Sequence, residues 1–170
     1  MSSHKNIIIA LDEGTTNAKA VALDAAGKAI VKFNQPLSIQ TPREGWVEQS
    51  GSALVEASVK VLAQAIEAVG AENVVALAIS NQRETTIGWY RSNGTPLHAA
   101  ISWQCSRTAD FCEALRRDNK EQTIKAVTGL PVAPLFSASK MRWLIESTPN
   151  GQVLAANGDI CLGTIDSWLL

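Results

Sequence analysis

The sequence lacks the features that announce several protein classes. Its 170 residues hold three cysteines, Cys105, Cys112 and Cys161, with no C-x-x-C spacing and no flanking histidine pair. That argues against a disulfide framework or a zinc site and predicts reduced, mostly buried thiols in a cytoplasmic protein. The net charge is only −1, so nothing electrostatic draws the chain to nucleic acid. No apolar stretch reaches membrane-spanning length, and the opening MSSHKNIIIALDEG has too short an apolar run for a signal peptide. Internal repeats, low-complexity tracts and the Walker pattern G-x-x-x-x-G-K-[ST] are missing as well. What is present is 46% hydrophobic residues in a chain long enough for one domain with a real core.

The informative start is NIIIALDEGTTNAKAVALD, Asn6 to Asp24. Ile7 to Leu11 is short, apolar and β-branched, which predicts a strand buried on both faces. Glu13 to Asn17 forms a turn around Gly14, and Ala18 to Asp24 alternates as a second strand. Such a hairpin tip offers backbone N–H groups and small hydroxyls to phosphate oxygens. Gly14 permits close backbone approach, and Asp12 at the strand end can hold Mg²⁺ directly or through water. An ordinary polar hairpin uses the same residue types, so the hairpin alone leaves both readings open.

A third strand is predicted over Ile30 to Leu37, then an irregular loop from Ser38 to Ser50 in which Trp46 is expected to be a packed anchor in preference to a ligand contact. Ser52 to Val69 reads as a helix with Val55, Val59, Leu62, Ile66 and Val69 on one stripe, a serine cap before it and Gly70 after it. Asn73 to Ser80 reads as a second buried strand. Strand, helix and strand in that order imply a crossover and a partly parallel sheet. Further on, Ile87 to Tyr90 and Pro96 to Ser102 flank an Asn93-Gly94 turn. Helices are predicted over 108–117, over 121–127 and, capped by Ser137, over 137–146 with Met141, Leu144 and Ile145 inward. Residues 148–158 read as loop, 159–163 as extended, and 164–170 as the start of a helix.

Arg83 and Glu84, in NQRETT, follow a strand end, where ligand sites of open α/β sheets gather. An arginine fork donating to hydroxyl oxygens beside a carboxylate accepting hydroxyl protons suits a polyol. Trp103 can wall the carbon face of such a ligand. The plainer alternatives are a surface ion pair for Arg83 and Glu84 and a core ring for Trp103.

DEGTT, GWVEQ, NQRETT, WQC-x-RTA, TGL, FSASK and GTIDSWLL occur in the order and spacing of the FGGY carbohydrate kinases. The chain most resembles the glycerol kinase branch, whose equivalents read DQGTT, GWVEH, NQRETT, WQCRRTA, TGL, FSGTK and GTVDTWL. The resemblance spans essentially all 170 residues. It implies an α/β, ribonuclease H-like (actin/hexokinase-type) mixed sheet flanked by helices, here a truncated first domain. It also implies ATP and Mg²⁺ as cofactors and transfer of the γ-phosphoryl group to a terminal hydroxyl. By the resemblance, Gly14, Thr15, Thr16, Asn17 and Lys19 stand where ATP phosphates are met, and Asp12 where the metal lies. Arg83, Glu84 and Trp103 stand where the polyol binds, as does Leu135.

Two departures qualify this. Leu135 replaces a tyrosine of the branch and offers no hydroxyl, which weakens glycerol, the leading acceptor, or makes space for a longer polyol such as a tetritol; a ketose kinase of the same family is the other alternative, against which NQRETT with WQC argues. Glu13 replaces a glutamine and adds a negative charge beside the phosphate turn. Family members are also far longer, so residues 1–170 are expected to be an N-terminal, substrate-side domain incomplete at its C-terminal end. The general-base Asp is then expected beyond Leu170, the second, nucleotide-binding domain is absent, and the piece is inactive alone. An uncovered helix face from Thr164 predicts self-association, and homo-oligomers are possible. A non-catalytic actin-fold nucleotide-binding module is the reading from another class.

Overall fold

The computed structural model describes residues 6–170; residues 1–5, the start of the stretch read as too short in apolar run for a signal peptide, lie outside these. In chain order the elements are β1 (Ile7–Glu13), β2 (Asn17–Leu23), β3 (Ala29–Pro36), β4 (Glu48–Gln49), α1 (Gly51–Val69), β5 (Val74–Asn81), β6 (Thr86–Tyr90), β7 (Ala100–Ile101), α2 (Ala109–Arg117), α3 (Glu121–Thr128), α4 (Ser137–Ser147), α5 (Gly151–Asn157), β8 (Ile160–Thr164) and α6 (Ile165–Leu169). They form two compact units. The first holds the described residues up to Ile39, Ser50–Gln82 and Leu169–Leu170; the second holds Gln40–Gln49 and Arg83–Trp168.

The first unit is a mixed sheet in the order β3-β2-β1-β5, with α1 packed against β1, β2 and β3. β1 and β2 are antiparallel, and β1 and β5 are parallel, so α1 makes the expected crossover. Ser50 caps α1, its hydroxyl accepting the N–H of Ala53. Ile7, Ile9, Leu11, Ala18, Ala20 and Ala22 from the sheet meet Ala57, Val61 and Ala65 from the helix. Alanines on both sides let the helix lie close, and burying each larger side chain contributes about 1.5–3 kcal/mol.

Three expectations fail here. β1 is buried on one face only, because side chains alternate across a pleated sheet and α1 covers a single side: Ile7, Ile9, Leu11 and Glu13 point in, while Ile8 is exposed. β5 is not a buried strand but the sheet edge, with Val75 and Leu77 exposed. The helix stripe is rotated by about one residue: Leu54, Ala57, Ser58, Val61 and Ala65 are buried, whereas Val59 is 58% exposed. Small residues win the contact face because they allow a closer approach than the valines do.

The second unit is built on the sheet β4-β7-β6-β8, in which β6 and β8 pair antiparallel from Thr86–Thr164 to Tyr90–Ile160. Gly94, at φ 70°, makes the predicted turn after β6. The stretch read as loop between Ser38 and Ser50 contains β4, which pairs with β7. Residues 148–158 contain helix α5, missed because seven residues carry too little periodicity. Trp46 is the anchor expected of it. It lies edge-on to Trp143 at 5.3 Å, and the Arg107 guanidinium stacks between the two rings. Arg107, itself buried, bonds the buried Glu48 at 2.6 Å. Cys105 and Cys112 are buried thiols. No helix among the described residues is long and apolar enough to cross a membrane.

Candidate functional site

The phosphate-turn candidates lie in the first unit, between β1 and β2. The Gly14 N–H donates to the Asn17 carbonyl at 3.0 Å, and the Thr16 carbonyl accepts the N–H of Leu37. The Asn17 amide donates to the Thr16 hydroxyl. A Cβ at Gly14 would stand 3.1 Å from the Asn17 carbonyl oxygen, so the close approach that needs glycine is the turn's own closure. Asp12 and Lys19 face each other across the two strands, 3.7 Å apart, both about half exposed. Such a pair contributes at most about 1 kcal/mol to stability, which leaves both charges available to a ligand. A single accessible carboxylate fits Mg²⁺, which keeps most of its waters and takes its other ligands from phosphate. Among the described residues no group of three or more His, Cys, Asp or Glu side chains gathers at one point.

Behind the turn sits an arrangement that the sequence did not disclose. Glu13 is fully buried, and Gln82 donates to its Oε2 and to the Gly14 carbonyl, both at 3.2 Å. Glu13 Oε1 has no hydrogen-bond partner. Burial pushes the Glu13 carboxyl up to about 7; the Gln82 bond opposes this and the neighbouring Asp12 charge adds to it. The replacement of glutamine by glutamate therefore introduces less negative charge near neutrality than the bare sequence suggests.

The polyol candidates lie in the second unit. Arg83 is exposed and, among the described residues, forms no ion pair. Glu84 is not its partner. The Glu84 Oε2 instead accepts the N–H and the hydroxyl of Ser137 at 2.9 and 2.8 Å, at the start of α4. This corrects the reading of Ser137 as a cap: Phe136 holds the cap position, and the serine hydroxyl is turned to the carboxylate. Glu84 has a left-handed backbone, φ 66°, which a residue with a side chain adopts only when its surroundings hold it there. Trp103 is 39% exposed and so is no core ring, and its backbone N–H donates to the Thr85 hydroxyl next to Glu84. Leu135 is 40% exposed, on the loop before α4.

Lys140, one turn into α4, was also missed, since a lysine on a helix reads as a solvated residue. It is wholly buried and donates to the carbonyls of Glu84, at 2.9 Å, and of Leu135. Burial pulls its ammonium down to about 8, against the raising influence of Glu84, Cys105 and Cys112. The second unit thus brings Glu84, Trp103 and Leu135 into one hydrogen-bonded neighbourhood, with Arg83 adjoining it. An exposed guanidinium, a fixed carboxylate and two apolar groups suit a ligand with hydroxyls on a short carbon chain.

The model of the N-terminal domain of the FGGY family of carbohydrate kinases matches residues 7–170. A glycerol kinase of Ectopseudomonas mendocina is 41% identical over 165 residues, covering 96% of this chain and 33% of the relative. One from Pseudomonas fluorescens is 37% identical over 169 residues, with coverage of 98% and 34%. The chain therefore spans about a third of the length of the curated relatives it matches. Among solved structures, Plasmodium falciparum glycerol kinase with ADP superposes with a TM-score of 0.90 at 26% identity, over 97% of this chain and 33% of that one. A xylulose kinase from Lactobacillus acidophilus, at 20% identity and a TM-score of 0.82 over 96% of this chain and 32% of its own, shares the fold.

Proposed function

The chain belongs to the FGGY family of carbohydrate kinases, and on that footing we propose that the full protein carrying it transfers the γ-phosphoryl group of ATP to a terminal hydroxyl of a small polyol, glycerol first among them. The observation that carries this reading is the exposed Arg83, with no ion-pair partner among the described residues, beside a Glu84 carboxylate held by Ser137. Arg83 donates to ligand hydroxyl oxygens, and Glu84 accepts a hydroxyl proton on the carboxylate oxygen that Ser137 leaves free. Trp103 and Leu135 cover the carbon chain. Gly14, Thr15, Thr16 and Asn17 meet the phosphates, with Lys19 neutralising their charge and Asp12 holding Mg²⁺, which supplies charge stabilisation during transfer. Residues 1–170 are on this reading the substrate-side part of the kinase, with the general-base Asp outside them, and the chain is inactive alone, in the cytoplasm where ATP is supplied.

One observation keeps a tetritol or a ketose as the second reading of the acceptor. Leu135 presents an apolar, partly exposed side chain where a hydroxyl would bind a third polyol oxygen. The test is steady-state phosphorylation by the full protein with ATP, Mg²⁺ and a panel of glycerol, erythritol and pentuloses. Arg83→Ala is expected to raise KM for the accepted polyol by roughly a hundredfold, as loss of charge-assisted hydrogen bonds implies. ADP formation with none of these acceptors would leave a nucleotide-binding module without catalysis.

A further inference from the structure

Lysine is among the residues least often fully buried, and when buried it usually faces a carboxylate. Lys140 does neither of the usual things: it is wholly buried, yet its ammonium is spent on two backbone carbonyls. Those carbonyls belong to Glu84 and Leu135, which are far apart in the chain and on separate loops, one before β6 and one before α4. The Glu84 side chain is bonded to α4 as well, through Ser137. So α4 grips Glu84 twice, by its carbonyl and by its carboxylate, and this holds a left-handed backbone that would otherwise relax.

We propose that Lys140 is a positioning residue for the acceptor alcohol: by tying the Glu84 backbone to the Leu135 backbone it fixes the gap between the carboxylate and the apolar wall. It touches no substrate and acts through Glu84 and Leu135. The inference rests on the polyol reading of those two residues. A change in that gap alters which alcohol fits without altering the groups that contact ATP, because none of the phosphate-turn residues bonds to Lys140. The neutral or shortened side chain leaves one or both carbonyls unpaired in an apolar setting, and the loop carrying Leu135 then moves away from Glu84.

The test uses the full protein, with ATP saturating and either glycerol or erythritol varied. Lys140→Met is expected to raise KM for the preferred polyol roughly tenfold or more while KM for ATP changes by less than about twofold. Amide exchange is expected to quicken over 83–86 and 134–137 in the same variant. Should Lys140→Met fail to fold, Lys140→Gln, which keeps N–H donors on a shorter stem, is read the same way and is expected to give a smaller rise in KM. Leu144→Ala loosens the same helix without touching the two carbonyls, and it is expected to leave polyol KM unchanged. A polyol KM unmoved in the folded Lys140 variant, or raised as much by Leu144→Ala, overturns the inference. Arg83→Ala separates the two levels. If it raises polyol KM and Lys140→Met does not, only the role of Lys140 is lost; if it does not, the polyol reading itself falls, and the role of Lys140 with it.

Discussion

Substitution of Glu13 by glutamine should flatten the pH dependence of the chain's stability. The Glu13 carboxyl is sealed in the first unit with one oxygen bonded to Gln82 and the other to nothing. Its folded pKa is about 7, against 4.5 for an ordinary glutamate. The folded state therefore holds this proton more tightly than the unfolded state does. The resulting contribution to stability is fully present below pH 4.5 and is lost as the pH rises through about 7. At about 1.4 kcal/mol per unit, the change between pH 5 and pH 8 comes to about 2.5 kcal/mol. All five tryptophans lie in the second unit, so fluorescence does not follow this site. Urea unfolding read by circular dichroism does, since α1, with 19 residues, belongs to the first. With divalent cations removed, the difference in unfolding free energy between Glu13→Gln and the parent chain should move by about 2.5 kcal/mol in favour of the variant from pH 5 to pH 8. An equal pH slope in both proteins would show that Glu13 is ionised and solvated in the fold, and the reasoning from burial would be refuted.

Other substitutions test the packing. Val61→Ala should cost roughly 1.5–3 kcal/mol and Val59→Ala less than about 0.5 kcal/mol in urea unfolding, because Val61 is buried on α1 and Val59 is not; the reverse order would restore the stripe read from the sequence. Arg107→Met leaves Glu48 buried without its cation and removes the guanidinium from between two tryptophans, so a loss of about 3–5 kcal/mol is expected, together with a shift in tryptophan emission. Gly151→Ala should destabilise the second unit, since a Cβ there runs into the Ile145 carbonyl at the start of α5; normal thermal unfolding of that variant would contradict the packing described.

The sequence disclosed what depends on local chemistry. The β1–β2 hairpin, the crossover through α1 and most helix bounds follow from periodicity, turn residues and caps, all of which act within a few residues. Burial was less legible because it is decided by neighbours distant in the chain. Ile7 to Leu11 looked buried on both faces, but α1 packs on one face of that sheet and Ile8 on the other is exposed, and Val75 and Leu77 lie on an edge strand. Arg83, Glu84 and Trp103 were singled out by type and position, whereas the groups that hold them were not. Ser137 looked like a cap and Lys140 like a solvated lysine; only the meeting of α4 with the turn before β6 gives either a different task. Glu13 was seen as a charge and is instead a buried acid, since no local pattern tells which side of β1 faces the helix.

The left-handed backbone at Glu84 has a thermodynamic consequence. A carboxylate on a relaxed loop would have to be ordered each time a ligand arrived, and that loss of freedom would weaken binding. Here the unfavourable conformation is imposed once, as the chain folds, by bonds to the residue's carbonyl and its carboxylate. On the proposed polyol reading, an alcohol that reaches it meets an acceptor already aimed, so discrimination falls on the shape of the newcomer and not on the cost of arranging the host.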